Sequence, residues 1–194
     1  MNKKTILIAG GAGYIGCELI KQAIEKDFNV ICLDILLYGN KAIKNFSNNK
    51  KFQLVKGDIR DWKLIKEITK NVDYVVNLAA IVGDKPCEAA PASAYQINLK
   101  GNTILAEASK INKVDKYIFA STCSNYGISD PNGFADENSF LNPVSLYAET
   151  KIDSEKNLQK IASKKFTTTS LRFATAYGLS RRTRFDLTVN SFAY

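Results

Sequence analysis

The 194-residue sequence contains no histidine, and none of its four cysteines forms a C-x-x-C pair. Histidines and paired cysteines are the usual protein ligands of zinc and other transition metals. The sequence therefore predicts no metal site. Cys17 and Cys32 fall within helix and strand patterns, so we expect both to be small buried side chains.

The sequence also lacks an apolar run long enough to span a membrane. Its short basic start, Met1–Lys4, leads directly into a strand and a glycine-rich turn, which is not the pattern of a signal peptide. We therefore expect a cytoplasmic protein that has no membrane partner. A length of 194 residues is typical of a single domain with one good core.

Acidic residues are few relative to basic ones, with 19 Asp and Glu against 27 Lys and Arg, which gives a formal charge of +8. This charge alone would suggest a nucleic-acid binder. The lysines are scattered, however, and the densest cluster, residues 41–51, is an Asn-rich connection. We interpret most of the charge as solvated surface that attracts an anionic substrate, and we expect no nucleic-acid partner.

Strand-like and helix-like segments alternate along the chain, and the strands are short and apolar, as expected when helices cover both faces of a sheet. The pattern predicts an α/β protein with a doubly wound parallel sheet of the Rossmann type, in the order 3-2-1-4-5-6. A long loop, Ser129–Ser145, follows the fifth strand. The predicted strands are Thr5–Ala9, Val30–Leu33, Phe52–Lys56, Tyr74–Ala79, Lys116–Ala120 and Thr167–Phe173, and the predicted helices are Tyr14–Lys26, Trp62–Thr69, Ala92–Asn112 and Leu146–Ala162.

A glycine-rich turn joins the first strand to the first helix. Its backbone N–H groups, including those of Tyr14 and Ile15, can hold a pyrophosphate at the helix N-terminus. Asp34 ends the second strand, where a carboxylate can accept both ribose hydroxyls of an adenosine. Since no Arg follows directly to bind a 2′-phosphate, the pattern favours NAD over NADP. The glycines of the turn are Gly10, Gly13 and Gly16.

Tyr147 and Lys151 are spaced i, i+4, which places both side chains on the same face of a helix. An ammonium beside a phenol favours the ionised phenol, and such a tyrosine can take the proton of an alcohol while a hydride leaves for the cofactor. Isolated Y-x-x-x-K pairs are common on protein surfaces. The hydroxyl-rich end of the fifth strand, Ser121–Ser124, and the upstream glycine turn favour the catalytic interpretation.

The predicted helix Ala92–Asn112 carries apolar residues on two faces, and such a helix needs two partners. One is the sheet. The other is either a second subunit, which would make a homodimer, or a neighbouring helix of the same chain. The first face includes Ile97, Ile104, Leu105 and Ala108, and the second includes Tyr95, Leu99 and Ala106.

Taken together, these motifs resemble those of the extended short-chain dehydrogenases/reductases, and within them the NAD-dependent nucleotide-sugar epimerases and dehydratases. The resemblance covers nearly the whole chain. It implies that Thr122 hydrogen-bonds the substrate oxygen, that Tyr147 is the acid/base, and that Lys151 binds the nicotinamide ribose and activates Tyr147. An alternative for Thr122 is a strand-end hydroxyl that caps its own backbone. Further motif residues that the resemblance assigns to the cofactor are Asp58, Ile59, Leu78, Ala79, Ala80, Asn98 and Ala174.

Several positions depart from the family pattern and bear on the activity. The 4,6-dehydratases carry an Asp-Glu pair where this chain has Cys123 and Ser124, so the eliminating carboxylates are absent. We expect Cys123 to be a small packed side chain, with a thiol acid/base at the sugar as the alternative. Asn77 replaces a frequent His, and Thr175 replaces the substrate-binding Asn of the galactose epimerases, which leaves the sugar undetermined.

The resemblance also implies a smaller substrate domain that is largely absent here. We therefore expect an NAD-binding Rossmann domain at residues 1–180 and the start of a truncated substrate-binding region at residues 181–194. Near this boundary, Arg181, Arg182 and Arg184 either contact substrate phosphates or form a solvated turn. The predicted function is NAD-dependent epimerisation of a nucleotide sugar through a keto intermediate. The alternatives are a 4-keto-sugar reductase and a catalytically silent NAD-binding protein.

Overall fold

The computed structural model describes residues 3–128 and 133–193. They contain a six-stranded sheet in which all neighbouring strands are parallel, in the order β3-β2-β1-β4-β5-β6, which confirms the predicted topology. The strand order reverses between β1 and β4, and ligands of open α/β sheets bind at the carboxyl ends beside such a point. The strands are β1 Thr5–Ala9, β2 Asn29–Asp34, β3 Phe52–Lys56, β4 Tyr74–Asn77, β5 Lys116–Thr122 and β6 Thr167–Phe173.

Helices cover the sheet and begin close to the residues that the sequence pattern predicted. None in the described part of the chain is long and apolar enough to cross a membrane. The α-helices are α1 Tyr14–Glu25, α2 Trp62–Ile68, α3 Asp84–Ala89, α4 Pro91–Ala94, α5 Asn102–Ile111, α6 Leu146–Ile161 and α7 Thr188–Phe192. Two 3₁₀ helices, Lys41–Phe46 and Cys123–Tyr126, and a π-helix, Tyr95–Gly101, complete the set.

The core lies on both faces of the sheet because successive strand residues alternate between them. On one face, Ile8 and Cys32 pack with Ile20 of α1. On the other, Leu7 and Phe119 pack with residues of α2, α5 and α6. Cys17 also belongs to the first of these clusters, so the prediction that Cys17 and Cys32 are buried is confirmed.

The strand predicted at residues 74–79 ends earlier, at Asn77. The Asn77 side chain accepts a hydrogen bond from the Ala79 N–H at 3.0 Å, a local turn that competes with strand pairing. Its amide group donates to Asn102 Oδ1 at 2.9 Å. Asn77 therefore ends β4 and fixes the following residues above the glycine turn.

The helix predicted over residues 92–112 is confirmed as an unbroken helical segment from Pro91 to Ile111, but it is not α-helical throughout. The structure has α4, then the π-helix, then α5, and the separate helix α3 precedes them. Asn98 lies in the π-helix and forms hydrogen bonds with both backbone groups of Ile81, at 2.8 Å to the N–H and 3.0 Å to the carbonyl. π-Helical turns are frequent at functional sites, and periodicity alone did not reveal this one.

The second apolar face of this helical segment is covered largely within the chain. Leu99 and Ala106 are both buried, and α6 packs against the π-helix and α5. Ser154 of α6 donates to the Asn98 carbonyl at 3.0 Å. Tyr95 remains 44% exposed, so the neighbouring-helix interpretation accounts for two of the three residues named for this face.

The predicted loop Ser129–Ser145 falls partly outside the described residues, since residues 129–132 are not among them. Residues 133–145 contain no helix or strand and return towards the end of β5. The Asn142 N–H donates to the Asn125 carbonyl at 3.1 Å, beside Gly127. Gly127 has a φ of +64°, and a Cβ at this position would collide with the Asn142 carbonyl. The close approach of the loop to the strand end therefore requires a glycine.

Candidate functional site

The glycine turn lies at the carboxyl end of β1, in the middle of the sheet. Gly10 has a φ of +76°, and a Cβ there would come within 2.8 Å of the Ala79 nitrogen. A Cβ at Gly16 would overlap the Gly10 carbonyl and the Gly11 backbone. Gly13 caps α1 in an extended conformation, and no side chain caps the helix. The turn therefore offers an open helix N-terminus, which suits a pyrophosphate.

Asp34 ends β2 directly beside this turn. Its carboxylate accepts hydrogen bonds from the N–H of Ala12 at 3.0 Å and from that of Leu36 at 2.8 Å. The turn is also tied to β2 by a hydrogen bond from the Gly10 N–H to the Leu33 carbonyl, at 2.8 Å. A carboxylate is thus held next to a glycine turn with an open helix N-terminus, which is the pairing that an adenosine ribose and a pyrophosphate require.

Asp58 and Ile59 follow β3 at the same edge of the sheet. Arg60 donates to both Asp58 oxygens, and these hydrogen bonds hold the pKa of the Asp58 carboxyl below its usual range. Ile59 is 6% exposed and packs into the core. Gly101 lies close to it, since a Cβ there would come within 2.8 Å of Ile59 Cγ2. Asp58 is therefore a fixed, ionised group, and the Ile59 side chain packs into the core beside it.

Leu78, Ala79 and Ala80 form the half-buried connection after β4 and lie opposite the glycine turn. Asn98 holds this connection in place, because its side-chain amide accepts a hydrogen bond from the N–H of Ile81 and donates one to the Ile81 carbonyl. Asn98 is 1% exposed. Its observed contacts therefore stabilise the connection after β4. A direct contact between Asn98 and a cofactor remains a prediction.

Lys151 is 3% exposed on the inner face of α6. Its ammonium donates to the Ala120 carbonyl at 2.8 Å and lies 5.7 Å from the centre of the Tyr147 ring. Burial lowers the pKa of Lys151 to about 8, although Cys87 and Glu155 each raise it. The predicted i, i+4 pair thus lies together on one helix face, directly at the end of β5.

Tyr147 is 8% exposed and packs with Cys87 and Ala94. Burial raises the pKa of Tyr147 to about 12, and Cys87 raises it further, while the Thr122 hydrogen bond and the positive charge of Arg184 lower it. We expected the ammonium of Lys151 to favour the ionised phenol. Burial dominates the pKa of Tyr147 in the protein without cofactor, and the expected influence of Lys151 stays a prediction.

Thr122 is the last residue of β5 and is 8% exposed. Its hydroxyl accepts from the Ser124 N–H at 3.1 Å, donates to the Ser124 hydroxyl at 3.1 Å and interacts with Tyr147. Thr122 therefore caps its own strand end and also faces the phenol. The expectation that Cys123 is packed was wrong: it is exposed because it begins the 3₁₀ turn that leaves the sheet.

The substrate side of the site is less enclosed. Ala174 and Thr175 follow β6 and are exposed. They lie at the edge that carries Thr122, because Thr122 and Phe173 are register partners. Thr175 thus lies two residues beyond the register partner of Thr122.

The three arginines of the C-terminal segment take different positions. The Arg181 guanidinium lies 5.1 Å from the Phe46 ring centre, and that of Arg182 lies 3.8 Å from the Tyr38 ring centre. Arg184 forms an ion pair with Asp186 and lowers the pKa of Tyr147. Arg184 is therefore the one of the three whose charge acts on the candidate catalytic tyrosine.

The segment that carries these arginines folds back onto α1. The Tyr14 hydroxyl donates to the Gly178 carbonyl at 2.6 Å and accepts from Asn190 at 3.2 Å. The Ser180 hydroxyl donates to the Tyr14 carbonyl at 2.7 Å. Tyr14 therefore links the start of α1 to the segment that follows β6.

Sequence reasoning missed two groups that act on the site. Cys87 of α3 raises the pKa of both Tyr147 and Lys151. Glu155 lies one turn beyond Lys151 on α6 and is 4% exposed. A carboxylate spaced i, i+4 from Lys151 on the same inner face was visible in the sequence, but nothing there indicated its partner on β6.

This geometry defines a nucleotide-binding oxidoreductase fold of the short-chain dehydrogenase type, with a tyrosine, a lysine and a threonine at the carboxyl edge of β5. The chain belongs to the NAD-dependent epimerase/dehydratase family, whose model matches residues 6–192. NAD is the cofactor of this family. The glycine cradle, the open helix N-terminus and the carboxylate of Asp34 fit that cofactor.

Individual relatives support the same assignment. A UDP-glucose 4-epimerase of Drosophila melanogaster is 28% identical over 191 residues, which cover 92% of this chain and 55% of the relative. A human dTDP-D-glucose 4,6-dehydratase is 30% identical over 182 residues, covering 90% of this chain and 52% of the relative. The crystal structure of a Bacillus cereus UDP-glucuronic acid 4-epimerase with UDP-glucuronic acid and NAD matches with a TM-score of 0.84 and 28% identity, covering 96% of this chain and 60% of that one. The chain thus spans about half the length of these relatives.

Proposed function

We propose that this chain carries the cofactor-binding and proton-transferring half of a nucleotide-sugar epimerase. The observation that carries the proposal is the meeting of Thr122, Tyr147 and Lys151 at the end of β5. This trio lies at the same sheet edge as a glycine turn paired with Asp34. Neither half of this arrangement suffices alone. Glycine turns also serve ordinary βα packing, and isolated Y-x-x-x-K pairs are common on protein surfaces.

Most of the proposed cofactor contacts come from residues at the carboxyl ends of the strands. The turn from Gly10 to Gly16 would hold the pyrophosphate on backbone N–H groups, and Asp34 would accept the adenosine ribose hydroxyls. NAD, when bound, supplies an acceptor and donor for a hydride at one sugar carbon. The proposed remaining contacts are Asp58 and Ile59 near the adenine, Leu78, Ala79, Ala80, Asn98 and Ala174 along the wall, and Lys151 at the nicotinamide ribose.

The chain's own chemistry is proton transfer at Tyr147 Oη. The buried phenol keeps its proton in the free protein, since its pKa is about 12. Arg184 already lowers this pKa in the free protein, and the positive charge of a bound nicotinamide would favour release of the proton further. Thr122 would bind the same sugar oxygen and keep it within reach of Oη. Tyr147 would then remove the hydroxyl proton and later return it to the opposite epimer.

Epimerisation is favoured over 4,6-dehydration by the residues that follow Thr122. Elimination needs an acid and a base next to the hydroxyl-binding residue, and Cys123 and Ser124 supply no carboxylate there. Cys123 is exposed, so its thiol can meet a substrate. A thiol is a poor substitute for a carboxylic acid because its ordinary pKa is about 8.5.

The test is turnover of UDP-glucose, UDP-N-acetylglucosamine and UDP-glucuronic acid by the protein with NAD, followed by chromatography of the sugar nucleotides. We expect one of them to be converted to its C4 epimer without net consumption of cofactor. Conversion of only a 4-keto sugar, with stoichiometric use of reduced cofactor, would establish the reductase instead. NAD binding without any turnover would establish a catalytically silent binding protein.

We also propose a homodimer whose interface includes the π-helix, α5 and α6. The exposed ring of Tyr95 and the 54% exposed side chain of Ile111 lie on this helical segment. Helices paired across a two-fold axis would bury them in an isologous interface. Analytical ultracentrifugation should give a dimer at micromolar concentration and a weaker one for Tyr95→Glu. A strict monomer would contradict the proposal.

A further inference from the structure

Behind the candidate catalytic residues lies an ion pair that the proposed proton chemistry does not use. Arg172 of β6 binds Glu155 of α6 through two nitrogens, with Nη2 at 2.7 Å from Oε2 and Nε at 3.1 and 3.2 Å from the two oxygens. Their side chains are 17% and 5% exposed. For comparison, the Lys156–Asp153 pair on the same helix is 62% and 53% exposed. The Glu155–Arg172 pair is therefore internal and bidentate.

Glu155 also holds the end of β5. Its Oε1 accepts a hydrogen bond from the Ser121 hydroxyl and another, at 2.9 Å, from the Asn125 amide. Asn125 in turn donates to the Ser121 hydroxyl at 3.1 Å. Thr122 lies between these two contacts in sequence. One carboxylate thus fixes the strand residue before Thr122 and the turn after it.

Arg172 extends the same network to the loop on the substrate side. Its Nη1 donates to the Tyr126 hydroxyl at 3.1 Å and to the Glu137 carbonyl at 3.5 Å. The Tyr126 hydroxyl donates to the Asp136 carbonyl at 2.9 Å. The loop that these bonds restrain leads directly to Ser145, the N-cap of α6.

The pair therefore connects every element that carries a candidate catalytic group. Ser121 and Arg172 are register partners on β5 and β6, and both bind Glu155 of α6. One turn earlier on α6, Lys151 binds the Ala120 carbonyl, so two successive turns of the helix are fastened to successive residues of β5.

We propose that the Glu155–Arg172 pair is a positioning device that sets the Thr122 hydroxyl relative to the Tyr147 phenol. The inference rests on the proposed function, since it assigns the pair a part in that reaction. A positioning role also explains why charges are buried here. An apolar pair of similar volume often stabilises a fold equally well, but it does not fix hydrogen-bond directions.

The decisive variant is Glu155→Met/Arg172→Met, which removes both charges together and leaves neither buried alone. We expect kcat to fall about 10²-fold, the size of loss typical when a reacting group is misplaced by about 1 Å. NAD affinity should change little, because the glycine turn and Asp34 are not in contact with the pair. Glu155→Gln keeps an oxygen acceptor for Ser121 and Asn125, so its loss should be intermediate. Asp153→Asn removes one negative charge from the exposed side of the same helix and should match the wild type.

A readout that needs no turnover uses Cys123, which is exposed while Cys17, Cys32 and Cys87 are buried. Labelling Cys123 with a trifluoromethyl thiol reagent places a ¹⁹F reporter on the turn that Glu155 holds. We expect one sharp resonance for the wild type and for Asp153→Asn, and a broadened or multiple signal for the double variant.

The two hypotheses fail in different ways. If the wild type turns over no nucleotide sugar, the proposed function fails, and the ¹⁹F spectra alone decide the positioning role. An unchanged ¹⁹F signal in the double variant would overturn the inference. So would an unchanged kcat in an active protein, or a loss of NAD affinity as large as the loss of kcat, which would indicate general disruption of the fold.

Discussion

The first and last strands of the chain differ sharply in their surroundings. β1 lies in the middle of the sheet, and four of its five residues are buried. β6 lies at the edge and alternates between exposed and half-buried residues, with Leu171 and Phe173 39% and 38% exposed. The strand that carries the cofactor turn is thus enclosed, whereas the strand nearest the substrate side is open.

The exposed part of β6 faces α1, not α6. Leu171 and Phe173 line an apolar groove of about 370 Å³ together with Ile118, Ala120 and Leu179. The opposite side of the same strand carries Arg172, which is paired with Glu155 under α6. The charged and hydroxyl groups of the candidate site are therefore assembled on the side of the sheet that α6 covers, away from the groove beside α1.

The largest expected effect is that of Tyr147→Phe, which removes the titrating oxygen on the covered side. Turnover should fall by about 10²–10⁴-fold, as is typical for loss of a general acid/base, while NAD affinity is retained. Tyr177→Phe is the matched control, because Tyr177 is 67% exposed and lines the groove on the open side. A full rate in Tyr147→Phe would show that the Y-x-x-x-K spacing is coincidental.

Gly13→Ala tests the enclosed side. Gly13 has a φ of −78°, and a Cβ there meets only the Gly10 carbonyl, at 3.1 Å, so the fold should tolerate the change. The added methyl lies where phosphates would approach. NAD affinity should therefore fall by about tenfold or more, equivalent to at least about 1.4 kcal/mol. Gly16→Ala should lower thermal stability as well, because its Cβ overlaps backbone atoms. Unchanged calorimetric affinity in Gly13→Ala would place the pyrophosphate elsewhere.

The buried ammonium of Lys151 predicts a pH effect on stability. Its pKa is lowered from 10.5 to about 8, so between these values the unfolded chain binds a proton that the folded chain does not. The free energy of unfolding should therefore rise with pH across this window, relative to Lys151→Met, by up to about 1.4 kcal/mol per pH unit. Urea titrations of both proteins at several pH values from about 7.5 to 9.5 measure the difference. If the free energy of unfolding changed equally with pH in both proteins, the Lys151 ammonium would be hydrated and its pKa would not be lowered.

The smallest expected effect concerns the choice of cofactor. Asp34→Asn removes the charge that repels a 2′-phosphate and retains a side-chain oxygen that can accept from Ala12 or Leu36. The ratio of the dissociation constants of NADP and NAD should fall by about tenfold, mainly because NADP binds more tightly. Competition binding gives both constants. Asp61→Asn, at the N-cap of α2, is a control outside the glycine turn. Equal affinities for the two cofactors in the wild type would refute the role of Asp34.

Local patterns were sufficient to predict the six strands, their order in the sheet and the longer helices, but not the short helices α3 and α7. Three strands, β1, β3 and β6, have the predicted bounds, because short apolar runs between turn residues specify them. The π-helix was not predictable in this way. It depends on Asn98 reaching Ile81, a contact between distant parts of the chain.

The candidate site was also predictable only in part. Spacing along one helix was enough to pair Tyr147 with Lys151, since i, i+4 neighbours share a face. The raised pKa of Tyr147 was not, because it results from burial beside Cys87, which comes from a helix sixty residues earlier. The link from Glu155 to Arg172 was not predictable either, because the predicted strand order does not give the register that sets Arg172 beside Ser121, or the contact of Arg172 with α6.

Isothermal titration calorimetry of the 194-residue protein with NAD asks whether the glycine turn, Asp34 and the neighbouring strand ends suffice to bind the cofactor. We predict saturable binding with one site per chain, and weaker binding of NADP. If the folded protein bound no NAD, the enclosed strand β1 and its glycine turn would be insufficient for the cofactor, and the proposed cofactor site would be wrong.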